Sequence, residues 1–452
     1  MKSVEAVEAA LSRISEIDSS GYHLNSVLAL SDDALERAKQ FDKVTNNLPL
    51  QGLPILIKDN IEAVGLPATA GSLALADTPV KKDSPIAARL REAGAIIIGA
   101  TNLSEWANIR SSKSTSGWSA VGGLTANPWK HGHSAGGSSS GSGAAVGAGL
   151  TQWAIGSETD GSIICPSSLN GCVGIKPTVG SISREGMIPI SASQDSPGPM
   201  TQRVDQAALL LDVLTGKNQY FQAAKSEDSI RIGVVKSWIT SESGVDSLFE
   251  ETVQRLAKAG IELVEVDLKG PEAQVHEDEF LVLLYELYEG LARYLQNRPE
   301  SKVKTLEDVV LFNQNHSDRE LPYFGQELFE QALEIGKDSD AYLAARKRNL
   351  EWAEATLATG LDDVDVLIGC TYGTAWKSNF ETGDSIAAAS WITTAPAIAG
   401  TPIGTIPMGL VDGLPVGLGF ISQRDQEPKL ITAMASAERA LGLGVLKPSF
   451  VK

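Results

Sequence analysis

The chain is expected to fold as an α/β protein, because short apolar runs that suit buried strands alternate with helices bounded by clear start and stop signals. Residues 53–57 and 95–99 are short and continuously apolar, as strands covered on both faces are. Between them Ser84 reads as an N-cap, Pro85 suits the first helical turn, and Gly94 marks the stop. Ahead of both strands, Val4, Val7, Leu11 and Ile14 recur at helical spacing and give a first helix. From Trp106 to Gly198 the chain is rich in Gly, Ser, Asn and Pro but keeps apolar runs at 153–155 and 172–175. A mobile linker would lack those runs, so this stretch reads as packed loops and short strands around a site. A helix at 204–214 follows. Residues 217–360 are more acidic and mostly helical by pattern, with helices at 248–259, 280–294 and 342–357 and one strand-like run at 261–268. This middle segment reads as a helical insertion between two sheet-forming parts. Strands return at 364–369, 404–411 and 415–422, and a helix at 428–441 closes the pattern. No fixed-period repeat is visible, which argues against a solenoid.

Composition narrows the partners. The 452 residues are 42% hydrophobic and 21% charged, the balance of a globular protein. Against 38 basic residues stand 56 acidic ones, a net charge of −18 with no basic stripe, so nucleic acid is not an expected partner. Cys165, Cys172 and Cys370 cannot build a disulfide framework and match no zinc spacing, which fits a reducing compartment. No uninterrupted apolar run of about 18 residues points to a membrane span. The opening residues form an amphipathic pattern instead of an apolar leader. A cytoplasmic location is expected.

Chemistry concentrates in three places. Gly136-Gly137-Ser138-Ser139-Ser140-Gly141-Ser142 is a run of small residues, Thr159-Asp160-Gly161-Ser162 follows it, and Lys58 stands upstream in Ile57-Lys58-Asp59-Asn60. Serine is a poor nucleophile until a base takes its proton, and a lysine held neutral by burial can be that base. Lys58 directly follows Pro54-Ile55-Leu56-Ile57, so it leaves a buried strand into a crowded interior, where desolvation lowers an amine's pKa. The competing reading pairs it with Asp59 in a purely structural ion pair. After the strand at 153–155, the tight turn of residues 159–162 can aim successive backbone N–H groups at one point, as an oxyanion requires. An isolated Asp-Gly-Ser is more often only a turn.

Other motifs carry less. Gly137-Ser138-Ser139-Ser140-Gly141 fits a nucleophile elbow with Ser139 as nucleophile, but the residues before it make a poor strand. Only His276 and His316 lie downstream as partners, both in the acidic segment. His131-Gly132-His133 has no clear third ligand, so no metal is assigned. The glycine runs lack the spacing of a phosphate or dinucleotide loop, and no cofactor is assigned.

Together these blocks resemble the amidase signature family of Ser-Ser-Lys amide hydrolases, over about 53–216 and again 364–422. The matching residues are Lys58 in Ile-Lys-Asp-Asn, Thr101-Asn102 with Glu105, Gly136-Gly137-Ser138-Ser139, Gly161-Ser162-Ile163, Gly174-Ile175-Lys176-Pro177-Thr178, and Asp195 followed by Gly198-Pro199. The resemblance implies one amidase domain over 1–452, a mixed β-sheet surrounded by helices, with the helical insertion at about 217–360. It implies catalytic roles for Ser162 as nucleophile, for Ser138 after a cis peptide as proton relay, and for Lys58 as base. Backbone groups of Thr159, Asp160, Gly161 and Ser162 would line the oxyanion pocket, with Gly117, Trp118 and Ser139 as substrate contacts. Ser140 and Asp160 stand where many members have glycine. Both departures, with Ser116-Gly117-Trp118-Ser119, are similar to bacterial peptide amidases, so the expected substrate is an amidated peptide or another small amide. The alternatives are small aryl or aliphatic amides, or membership of a larger amidotransferase-like complex. The expected assembly is a monomer or homodimer.

Overall fold

Eleven strands form a single mixed sheet in the computed structural model, which describes residues 2–43, 47–385 and 388–451. In chain order they are β1 (Val27–Leu30), β2 (Pro54–Lys58), β3 (Ile96–Thr101), β4 (Trp153–Glu158), β5 (Val173–Lys176) and β6 (Ser196–Thr201). There follow β7 (Arg231–Val235), β8 (Glu262–Val266), β9 (Val366–Cys370), β10 (Ile403–Val411) and β11 (Leu414–Ser422). Across the sheet the order is β1-β3-β2-β4-β6-β5-β10-β11-β9-β7-β8. β2 runs parallel to β3 and β4, whereas β6 is antiparallel to β4 and β5. The ends of β2, β3 and β4, at Lys58, Thr101 and Glu158, therefore share one edge of the sheet, and the site is built there.

The apolar runs are continuous because the sheet is covered on both faces. Ile55, Ile57, Ile97, Trp153 and Ile155 pack into one layer with helices Pro85–Glu92, Val204–Thr215 and Glu427–Leu441. Their strand neighbours Leu56, Ile96, Ile98 and Ala154 turn to the other layer, against Ser3–Arg13 and Ser140–Gly147. The Ser84 hydroxyl accepts the N–H of Ala87 at 3.2 Å, so the helix starts at its sequence signal. All three cysteines are buried and unpaired. Among the described residues, no helix is long and apolar enough to cross a membrane.

Residues 217–360 are less uniformly helical than their pattern implies. β7 and β8 extend the sheet in parallel beyond β9, with Ile232 and Val234 in its core. β8 is the strand-like run expected at 261–268; its Glu262 and Glu265 are exposed and its apolar residues half-buried at the sheet's margin, whereas β7 was not expected. The helical excursion proper begins at Ala273, with Ala273–Gln296, Leu306–Asn315, Glu327–Ile335 and Ser339–Gly360 as its main helices. Its Leu284, Leu287, Leu291, Val309 and Phe329 cluster with Leu75, Trp106 and Ile188. Trp106 lies in the short helical turn Glu105–Asn108 after β3 and Ile188 in the loop after β5, so the excursion packs on the edge that carries the site.

Candidate active site

Lys58 is the last residue of β2 and is 0% exposed. Its Nζ donates to Ser138 Oγ at 2.7 Å, to Ser157 Oγ at 3.0 Å and to the Ser157 carbonyl at 3.2 Å. Burial pulls its pKa down to about 7, against the opposing pull of Asp195 and Glu158. A neutral amine has two protons for these three partners, so its lone pair can accept the proton of Ser138. Asp59 does not pair with it. Its carboxylate accepts the Thr69 backbone N–H at 3.0 Å and the Thr69 hydroxyl, which removes the ion-pair reading. Asn60 Nδ2 donates to Ser157 Oγ at 2.9 Å and fixes the hydroxyl that steadies the amine.

Ser138 is fully buried and follows a cis peptide bond from Gly137. A Cβ at Gly137 would stand 2.3 Å from Ser104 Oγ, so no larger residue fits there. The next residue, Ser139, donates its N–H to the Ser162 carbonyl at 3.1 Å and so ties the two serine loops together. Its hydroxyl is spent elsewhere: it donates to the Ser157 carbonyl at 3.0 Å and accepts the Ser157 N–H at 3.2 Å. Fully buried and with its hydroxyl bonded on both sides, Ser139 splices the Ser140–Gly147 helix to β4.

Ser162 is 8% exposed, and its hydroxyl makes no hydrogen bond to a described residue. The turn that carries it leaves the end of β4. Glu158 Oε2 accepts the N–H groups of Ile163 at 2.6 Å and Ile164 at 2.9 Å, which starts the Ile164–Asn170 helix just after Ser162. Thr159 Oγ1 donates to Asp195 Oδ1 at 2.6 Å and pins the turn's first residue. Gly161 has φ +73°, and a Cβ there would meet the Tyr372 hydroxyl at 2.3 Å. Among the described residues, the N–H groups of Asp160, Gly161 and Ser162 have no acceptor. The turn thus presents an unpartnered serine hydroxyl beside a row of free donors.

Gly117 and Trp118, among the described residues, make no hydrogen bond to that turn. Gly117 donates its N–H to Ser104 Oγ at 2.9 Å. Trp118 is 5% exposed and meets Tyr323 and Phe324 edge-on at 5.5 and 5.2 Å, with the Arg110 guanidinium 5.7 Å from its ring centroid. It packs as an aromatic joint between the core and the helical excursion. Sequence reasoning passed over Ser157, Glu158, Tyr372, Thr393 and Glu279 and gave Asp195 no role. Ser157 and Glu158 carried a usable signal, being polar residues at the end of a buried strand. Tyr372, Thr393 and Glu279 reach the site from distant segments and carried none.

Comparison with known proteins places this geometry in a lineage. The family profile described as Amidase matches residues 5–431. The chain belongs to the amidase family. As an amidase it hydrolyses amide C–N bonds. A native peptide amidase from Stenotrophomonas maltophilia is 39% identical in sequence, with a TM-score of 0.91 over 100% of this chain and 96% of that one. A probable amidase of Arabidopsis thaliana is 34% identical, over 97% of this amidase and 87% of the plant protein. One component of the glutamyl-tRNA(Gln) amidotransferase of Exiguobacterium sibiricum is 32% identical, over 98% of this chain and 95% of its own.

Proposed function

We propose that this amidase converts primary carboxamides, C-terminal amides of peptides foremost, to carboxylate and ammonia through an acyl-Ser162 intermediate. The 2.7 Å contact between Ser138 Oγ and the dry amine of Lys58 carries the reading. Ser162 Oγ attacks the carboxamide carbon as its proton passes to Ser138 Oγ and the Ser138 proton passes to Lys58. The carbonyl oxygen gains the negative charge and is met by the backbone N–H groups of residues 159–162. When the tetrahedral species collapses, the proton returns through Ser138 to the leaving nitrogen and ammonia departs. Water then attacks the ester, its proton taking the same path, and Ser162 is released. The Ser162 hydroxyl reaches Ser138 once a substrate is seated, since apo catalytic contacts commonly tighten on binding.

Peptide amides are preferred over aryl or aliphatic amides because the 39% identical solved structure is that of a peptide amidase. The rival reading, one component of an amidotransferase-like complex, is supported by the 32% identical relative. A net charge of −18 favours the free-standing enzyme, because tRNA binding needs local basic surface. Ammonia release by the purified chain, measured over a panel of amidated peptides, benzamide and acetamide, decides between them. Highest kcat/KM on the peptide amides is expected. Absence of ammonia from every amide would remove the hydrolase proposal.

A further inference from the structure

Beside Ser162 lies a pair of carboxyl groups that the proton relay does not use. Asp160, on the nucleophile turn, has its Oδ1 buried, with no N–H or hydroxyl donor among the described residues. Glu279, from the Ala273–Gln296 helix, comes within hydrogen-bonding reach of the Asp160 carboxyl. It is 6% exposed, and its Oε1 accepts Gln194 Nε2 at 2.9 Å. Thr393 also reaches the Asp160 carboxyl, and His276 and Lys176 lie nearby.

Two carboxyls within hydrogen-bonding reach of each other repel when both are charged, which favours one proton between them. Burial raises both, and Glu279 is pushed well above the carboxylate range, by burial first and then by Asp160. This matters for the neighbouring chemistry. Two full charges beside a developing oxyanion would oppose it, whereas a shared proton leaves one delocalised acceptor that repels far less. Asp160 lies two residues before Ser162 on the turn that carries the free N–H donors, which makes its carboxyl the acceptor nearest in the chain to the atoms flanking the scissile carbonyl. In an amino-acid or peptide amide, an N–H donor stands two bonds from that carbon.

We propose that Asp160 and Glu279 together determine specificity, accepting the α-N–H of the substrate and so selecting amides of amino acids and peptides over amides without that donor. The inference rests on the amide-hydrolase reading and deepens it. The pair belongs to the wall where the helical excursion meets the core, which explains why an acidic residue of that excursion is buried against the nucleophile turn.

The test compares N-acetyl-alaninamide with O-acetyl-lactamide, in which the N–H is replaced by an ester oxygen, reading released ammonia as kcat/KM. The wild-type protein is expected to favour the N–H substrate at least tenfold, and Glu279→Gln to reduce that ratio at least threefold. Losses common to both substrates cancel in the ratio. If Glu279→Gln fails to fold by circular dichroism, Asp160→Asn is read by the same criterion. A wild-type ratio below ten, or a ratio that falls less than threefold in the folded variant, overturns the inference. Absence of ammonia from both substrates would instead remove the hydrolase reading, so the two failures are distinguishable.

Discussion

At the scale of single residues, Lys58 is useful because it is dry. Its amine is 0% exposed and burial takes its pKa down to about 7, so proton acceptance begins near neutrality. The rate on a peptide amide should therefore rise with pH through about 7 and level off above it. That rising limb should vanish in Lys58→Ala, whose kcat falls about a thousandfold or more. Lys58→Arg should be equally inactive, because a guanidinium keeps its proton at every working pH. A Lys58→Arg protein with near-normal turnover would exclude the lysine as base. Ser162→Ala should lose at least about 10⁴-fold in kcat, in line with removal of other activated serines. Ammonia assays on the purified variants check all three.

At the scale of elements, two joints can be tested. The nucleophile turn needs Gly161, at φ +73° with the Tyr372 hydroxyl 2.3 Å from any added Cβ. Gly161→Ala should abolish turnover, while the paired change Gly161→Ala with Tyr372→Phe should relieve the clash and leave only the backbone cost. Recovery of stability without recovery of rate would show that the turn's shape, and not mere space, is what catalysis requires. The second joint is Arg110. Its guanidinium pairs with Glu105 at 3.1 Å, with both side chains at 0% exposure, and it donates to the Glu320 carbonyl at 2.6 Å. Arg110→Met strands Glu105 beside Glu320 and should cost about 3–5 kcal/mol in urea unfolding at neutral pH. The loss should shrink as the pH falls and those carboxyls take up protons.

The same elements explain what could be read in advance. Lys58 was legible because its local signal, a charge directly after four apolar residues, states its burial. The Pro85–Glu92 helix was legible because both its cap and its stop are written locally. β8 was legible as the strand-like run at 261–268, whereas β7, five residues long and flanked by polar chain, was not separated from the helix-rich stretch around it. The engagement of the Ser139 hydroxyl with β4 was not legible, because the small-residue run does not say which partner each of its hydroxyls meets. Glu279 and Thr393 depend on long-range packing, about which neighbouring residues say nothing.

At the scale of the whole molecule, stability and activity should peak at different pH. Asp59 and Asp195 are raised by burial to about 6, above their ordinary range. A carboxyl raised on folding binds its proton more tightly in the native state. Its contribution is fully present below the unfolded pKa near 4 and is lost as pH rises through about 6. Self-repulsion from a net charge of −18 at pH 7 acts in the same direction. The melting temperature should therefore be several degrees higher at pH 5 than at pH 7, while hydrolysis should be faster at pH 7 than at pH 5. A melting temperature rising steadily from pH 5 to pH 7 would contradict this account. Lys58 and Lys176 titrate above that window and leave its sign unchanged.

The three interior cysteines have a practical consequence for anyone handling the protein. Cys165, Cys172 and Cys370 are at most 5% accessible, and burial lifts every thiol above its ordinary range, Cys172 to about 12. Thiolate is the reactive form, so alkylating reagents have almost nothing to attack while the chain stays folded. Iodoacetamide or a chromogenic disulfide should leave hydrolysis intact for as long as the native structure persists. Labelling then becomes a clock for opening: each thiol is modified only when its own layer of the molecule comes apart, and mass spectrometry of the labelled peptides shows which layer goes first.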